Sequence, residues 1–169
     1  MNELETREIF LQIVSAMSYC HNRGLIHRDL KLENVMFKRA GGFDFTVKVV
    51  DFGIAGSCRP SFEDQTNAGS LAYMPPETLG DEPVAADSSM DVWAIGCMVF
   101  AMLIGHLPFY GNTQEEFEEA ILTTTPSFTE RYSTGGESVT PPVISKQAQD
   151  LILRMLDKDP KKRITLFEV

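Results

Sequence analysis

The chain has 169 residues, enough for one domain with its own hydrophobic core. Hydrophobic residues are 43% and charged residues 23% of it, a globular rather than a disordered composition. The net charge of −9 argues against partners that are nucleic acids or anionic membranes, because both are met with basic patches. Cys20, Cys58 and Cys97 are odd in number and show no C-x-x-C spacing. That excludes a disulfide framework or zinc site as the simple reading and points to a cytoplasmic or nuclear compartment. No apolar run reaches the ~20 residues that span a bilayer. The start, "MNELETREIF", lacks a signal-peptide pattern.

Residues 3–23 carry Ile9, Phe10, Ile13, Val14, Met17 and Cys20 at helical spacing. Asn2 with Glu5 is a start signal, and Gly24 is the expected left-handed stop. A polar stretch follows from Ile26 to Asn34. Val35–Phe37 and Phe45–Val50 read as two strands of a hairpin around Gly41 and Gly42. From Asp51 to Met90, about forty residues show no period, and so long a run inside a domain is usually functional. Asp91–Ile104 is apolar nearly all round and predicts a buried central helix stopped by Gly105. Thr113–Glu116 and Thr165–Glu168 are capping boxes opening two further helices, and Ser145 opens another through Met155. Residues 124–143 read as a polar loop.

The string "HRDLKLEN", His27–Asn34, is followed 22 residues after Asp29 by "DFG", Asp51–Gly53. In order after these come "GSLAYMPPE" (69–77), "DVWAIG" (91–96), "GHLPF" (105–109) and "DPKKR" (159–163). The six together resemble the catalytic domain of eukaryotic-type serine/threonine protein kinases, closest to the calcium/calmodulin-dependent and energy-sensing group. The resemblance implies a mainly α fold: a protein-kinase-like C-terminal lobe, a helical bundle whose short β-hairpin carries the catalytic and metal-binding loops. It implies ATP and Mg2+ as cofactors and protein Ser/Thr hydroxyls as substrate.

Phosphoryl transfer needs positioning and charge neutralisation more than covalent chemistry. By the resemblance, Asp29 orients the substrate hydroxyl and Lys31 offsets charge on the transferred group. Asn34 and Asp51 are the magnesium ligands. Met36 forms the floor under adenine, with Met98 and Met102 in the core below it. Glu33 and Ser70 face the substrate. Arg28 is expected to pair with a phosphorylated residue of the activation segment, and Thr66 matches the usual site for an upstream activating kinase. His27 and Phe52 are expected as stacked core residues, with Gly53 as the flexible member of the metal motif. Asp91 is expected to receive backbone amides of the catalytic loop, and Glu77 to pair with Arg163.

The pattern also departs from the family. No G-x-G-x-x-G loop, V-A-I-K lysine or hinge stands in these residues, so the N-terminal lobe is expected to be absent and the ATP site to lack one wall. Pro75 stands where A-P-E has alanine, and Leu32 where many relatives have proline. Ala101 stands where a second acidic contact for basic substrates is expected beside Glu33. Two alternatives to an enzyme follow: an inactive half-kinase serving as a binding or scaffolding module, or a truncated gene product. The second capping box, close to Val169, carries the expectation of a helix cut within its first turn.

Overall fold

The computed structural model describes residues 1–38, 46–57, 71–80, 84–130, 132–134 and 137–169. The expected turn at Gly41–Gly42, Cys58, Thr66 and Ser70 lie outside the described residues.

Helix α1 (Glu3–His21) starts on a complete capping box. The Asn2 side chain accepts the Glu5 N–H at 2.9 Å, and the Glu5 carboxylate accepts the Asn2 N–H at 3.1 Å. Two of the orphan amides of the first turn are thereby satisfied. The helix ends two residues before the expected Arg23, and Gly24, at φ +72°, turns the chain into β1 (Leu25–Ile26). Ile9, Ile13 and Met17, one face at a spacing of four, are buried with Phe10.

The buried face of α1 meets α2 (Ser88–Ile104), which also packs against α4 (Lys146–Met155). Trp93, Ile95, Cys97, Met98 and Phe100 of α2 are all fully buried, so the helix is the hub of the core. Full burial of such side chains stabilises by about 1.5–3 kcal/mol each. Gly96 sets how close α4 comes: a Cβ there would stand 3.0 Å from both Met155 Cβ and Leu156 Cδ2.

Helix α2 begins three residues before the expected Asp91, because Asp87 is the N-cap and accepts the Ser89 N–H at 2.8 Å. It stops at Gly105, whose φ of +101° is left-handed. Tyr132 Oη donates to the Ile104 carbonyl at 2.9 Å, supplying one of the orphan acceptors of the helix end.

Three two-stranded antiparallel ladders accompany the helices among the described residues. β2 (Val35–Phe37) pairs with β3 (Val47–Val49), the expected hairpin; of the expected second strand, Phe45 is outside the described residues. β1 pairs with β4 (Gly56–Ser57), inside the stretch read as aperiodic. β5 (Tyr132–Thr134) pairs with β6 (Glu137–Val139), inside the stretch read as a loop. Short 3-10 turns cover Leu32–Asn34, Leu71–Tyr73 and Pro76–Thr78.

Helix α3 (Gln114–Thr123) and α4 carry the expected caps Thr113 and Ser145. The Glu116 carboxylate reaches Asn112 rather than the Thr113 N–H, so the box at α3 is closed from one side only. At Thr165 the expectation of a helix is corrected. Glu168 N donates to the Thr165 carbonyl at 3.0 Å, and its carboxylate accepts the Thr165 N–H at 2.9 Å and hydroxyl at 2.7 Å. These bonds close a turn.

Candidate active site

The strings His27–Asn34 and Asp51–Gly53 come together because β2 and β3 pair between them. The register Val35↔Val49 puts Asn34 beside Val50, and the Val50 N–H donates to the Asn34 carbonyl at 2.9 Å. His27, fully buried, closes the same junction: its Nε2 lies 3.0 Å from the Val50 carbonyl. A carbonyl only accepts, so Nε2 carries the proton, and Nδ1 is left to accept the Asp29 N–H at 3.4 Å.

Asp91 holds the loop from the other side. It is 1% exposed, and its Oδ2 accepts the His27 N–H at 2.9 Å while Oδ1 accepts the Arg28 N–H at 3.0 Å. His21 Nε2 donates to Oδ2 at 2.8 Å. The position in the first turn of α2 adds the helix dipole to these partners. His21 lies in the last turn of α1. Its contact spans 70 residues of chain, which no local signal reports.

Within this frame the polar residues converge. Lys31 Nζ lies 2.7 Å from Asp29 Oδ2. That hydrogen bond, with the nearby charges of Asp29, Glu33 and Asp51, pushes the ammonium above its ordinary range. Asn34, 5% exposed, donates from Nδ2 to the Asp29 carbonyl at 2.8 Å and approaches Asp29 Oδ2 at 3.5 Å. The amide is thereby oriented with Oδ1 on the opposite side. Asp51 is exposed, and its Oδ1 accepts the Gly53 N–H at 3.3 Å.

Arg28 and Asp51 are the two non-glycine residues with left-handed backbone among those described, at φ +69° and +65°. Each such residue costs about 1–3 kcal/mol and persists only where neighbours enforce it. Asp91 enforces Arg28 through its N–H. Strain of this kind on both sides of one carboxylate cluster is what a pre-organised site looks like.

Oxygen donors suit a hard divalent cation. Asn34 Oδ1, fixed by the anchoring of its own Nδ2, and the exposed carboxylate of Asp51 fit Mg2+ in that chemical sense. Among the described residues no cluster of three or more His, Cys, Asp or Glu forms an all-protein metal cage.

One expectation is corrected. Phe52 touches His27, with ring centroids 4.5 Å apart, but the rings are tilted by 54° rather than stacked and Phe52 is 41% exposed. Met36 is 54% exposed on β2, while Met98 and Met102 of α2 are buried. Phe37 and Ile54 are also exposed, at 57% and 38%.

Further from the cluster, Arg163 forks onto Glu77 with Nη1–Oε1 at 2.7 Å and Nη2–Oε2 at 2.9 Å. It also donates to the Asp157 and Ser89 carbonyls, both at 3.0 Å, and so ties the turn at Pro76 to α2 and to the chain after α4. Tyr73 is half-buried, and burial raises its phenol above the ordinary range. A cavity of about 670 Å³ lies elsewhere, lined by residues that include Phe109, Phe117, Glu130 and Tyr132. None of the side chains of residues 27–34 lines it.

The family model for the protein kinase domain matches residues 1–169, the whole chain. The chain belongs to the protein kinase domain family. It is 39% identical over its full length to a human SNF-related serine/threonine-protein kinase, of which it covers 20%. It is 32% identical to CDPK-related kinase 5 of Arabidopsis thaliana, over 96% of this chain and 25% of that one. It is 32% identical to the putative sperm motility kinase W of Mus musculus, over 100% of this chain and 30% of that one. The chain thus spans between a fifth and a third of the length of these curated relatives. As a kinase-domain chain it is mostly helical with small two-stranded sheets.

Proposed function

We propose that this chain is the larger, C-terminal lobe of a serine/threonine protein kinase and that it positions the acceptor hydroxyl and the metal for transfer of the ATP γ-phosphoryl group. The observation that carries the reading is the cluster of Asp29, Lys31 and Asn34. The three are joined by bonds of 2.7 and 2.8 Å, on a loop held by Asp91.

In this reading Asp29 accepts a hydrogen bond from the Ser or Thr hydroxyl of a protein substrate and aims its oxygen at the phosphorus. Lys31 pairs with the Asp29 carboxylate in the resting site and offers its positive charge to the phosphoryl oxygens as they pass. Asn34 Oδ1 and the Asp51 carboxylate would hold Mg2+, which when bound neutralises charge on the phosphates. Glu33 stands next to Lys31 on the substrate side. Ser70, and Thr66 as a target of an upstream activating kinase, complete the reading from outside the described residues.

The exposed apolar side chains of Met36, Phe37, Phe52 and Ile54, in or just after the two motif strings, support the lobe assignment, because exposed apolar surface there suits adenine and a second body. Met36 is the floor of the adenine site in this reading. The phosphate-covering glycine loop and its lysine are not among residues 1–169, so transfer needs structure supplied from outside them. A cytoplasmic or nuclear place in the cell is the reading that three cysteines without paired spacing suit. Among the described residues no helix is long and apolar enough to cross a membrane.

The test is acceptor chemistry. The protein carrying this chain, given Mg-ATP and matched peptides bearing Ser, Thr or Tyr, should label Ser or Thr and leave Tyr unlabelled. Labelling of Tyr alone, or consumption of ATP with no labelled peptide, would overturn the reading.

A further inference from the structure

Strand β4 carries a glycine whose presence the backbone does not explain. Among the described glycines the left-handed ones are Gly24 and Gly105. Gly56 is an ordinary strand residue, paired with Ile26 of β1, and alanine would be conformationally acceptable there. Space is what excludes it. A Cβ at position 56 would lie 1.9 Å from Arg28 Nη2, 2.2 Å from Cζ and 2.7 Å from Nη1. The guanidinium of Arg28 therefore occupies the space that a side chain at position 56 would need.

We propose that Gly56 is a positioning residue for Arg28: its missing side chain is the seat of the guanidinium that couples the catalytic loop to the strand following Asp51–Gly53. Arg28 cannot retreat by moving its backbone, because its N–H is held at 3.0 Å by Asp91 and its φ is fixed at +69°. A side chain at 56 must instead swing the guanidinium away through its own torsions. The far end of an arginine is flexible, so the fold survives this while the coupling does not. Arg28 directly precedes Asp29, so a change in the packing of its side chain bears on the backbone that carries the acceptor-aiming carboxylate.

The activity arm of the test rests on the kinase reading above; the structural arm does not. In Gly56→Ala the side-chain Nε–Hε resonance of Arg28, assigned by its loss in Arg28→Lys, should shift or broaden. The melting temperature should stay within about 2 °C, as for a change of under ~1 kcal/mol in a chain of this size. In the protein carrying this chain, kcat for a Ser peptide should fall roughly tenfold, the scale of a modest misplacement at a reacting centre. The KM for ATP should hold within about twofold. In an Arg28→Ala background the same glycine change should cause no further loss.

An unmoved Arg28 resonance, an equal loss of kcat in both backgrounds, or a large fall in melting temperature would each overturn the proposal. Absence of any transfer by the parent protein would count against the kinase reading alone, and the Arg28 resonance would then decide this one.

Discussion

The carboxylate of Asp91 holds the backbone N–H of Arg28 at 3.0 Å across 63 residues of sequence. The same group takes the His27 N–H and the ring of His21, so one buried anion organises the end of α1 and the loop before Asp29. Asp91→Ala leaves two buried amides and a ring N–H without their acceptor, at about 1–3 kcal/mol for each. A loss of about 3 kcal/mol or more is expected in urea denaturation. Loss of protection from hydrogen exchange should be concentrated at His27 and Arg28.

The fork between Arg163 and Glu77 carries a different kind of risk. Arg163 is 4% exposed, so removing its partner strands a charge in the core. Glu77→Ala is expected to cost about 3–5 kcal/mol. The Trp93 ring, 5.1 Å from the guanidinium carbon, should report the change as a shift in tryptophan fluorescence before global unfolding. A stability change under about 1 kcal/mol would show that the Asp157 and Ser89 carbonyls suffice to hold Arg163.

At the end of α2, Gly105 is required twice over. Its φ is +101°, and a Cβ would lie 2.6 Å from the Tyr132 hydroxyl. Gly105→Ala is expected to cost about 1–3 kcal/mol from the backbone, with the clash added. In a Tyr132→Phe background the same change should cost less, because the oxygen it strikes is gone. Denaturant midpoints for the four proteins of this cycle measure the difference.

Lys158 gives the clearest pH dependence. It lies over the rings of Phe109 and Trp93, at 3.9 and 5.0 Å, and donates to the Ile121 carbonyl. Burial pushes its ammonium down from 10.5 to about 8, against the attraction of the two rings for the cation. The unfolded chain then holds this proton more tightly than the folded one. Between about pH 8 and 10.5 the unfolded state carries the extra proton, so this group's contribution to stability rises with pH. Urea midpoints of the natural protein, measured relative to Lys158→Met, should therefore move in its favour between about pH 7.5 and 9.5. An unchanged difference would mean that the rings hold the ammonium at its ordinary value.

What could be read from sequence follows the range of each interaction. The Asn2–Glu5 box, the Thr113 and Ser145 caps and the Gly105 stop are local, and each forms where its residues stand. Helix α2 was legible because it is apolar on every side, although its true cap, Asp87, lies among polar residues that mask the start. The ladders β1–β4 and β5–β6 were not legible, since strands of two or three residues have no period of their own. The same holds for the site. The strings around Asp29 and Asp51 mark it, while the His21–Asp91 bond and the seat of Arg28 on Gly56 exist only once distant strands and helices meet. Phe52 was misjudged because an apolar residue in a motif reads as core, whereas here it is 41% exposed.

The most direct test of the account is single-turnover transfer from Mg-ATP to a Ser peptide by the protein carrying this chain, before and after Asp29→Asn. The change keeps the shape of the side chain and removes the carboxylate that faces Lys31 at 2.7 Å. The predicted result is a fall of about 10²–10⁴-fold in the rate of transfer, the range supplied by a positioned base, with ATP binding retained. Transfer at the parent rate by Asp29→Asn would contradict the central claim.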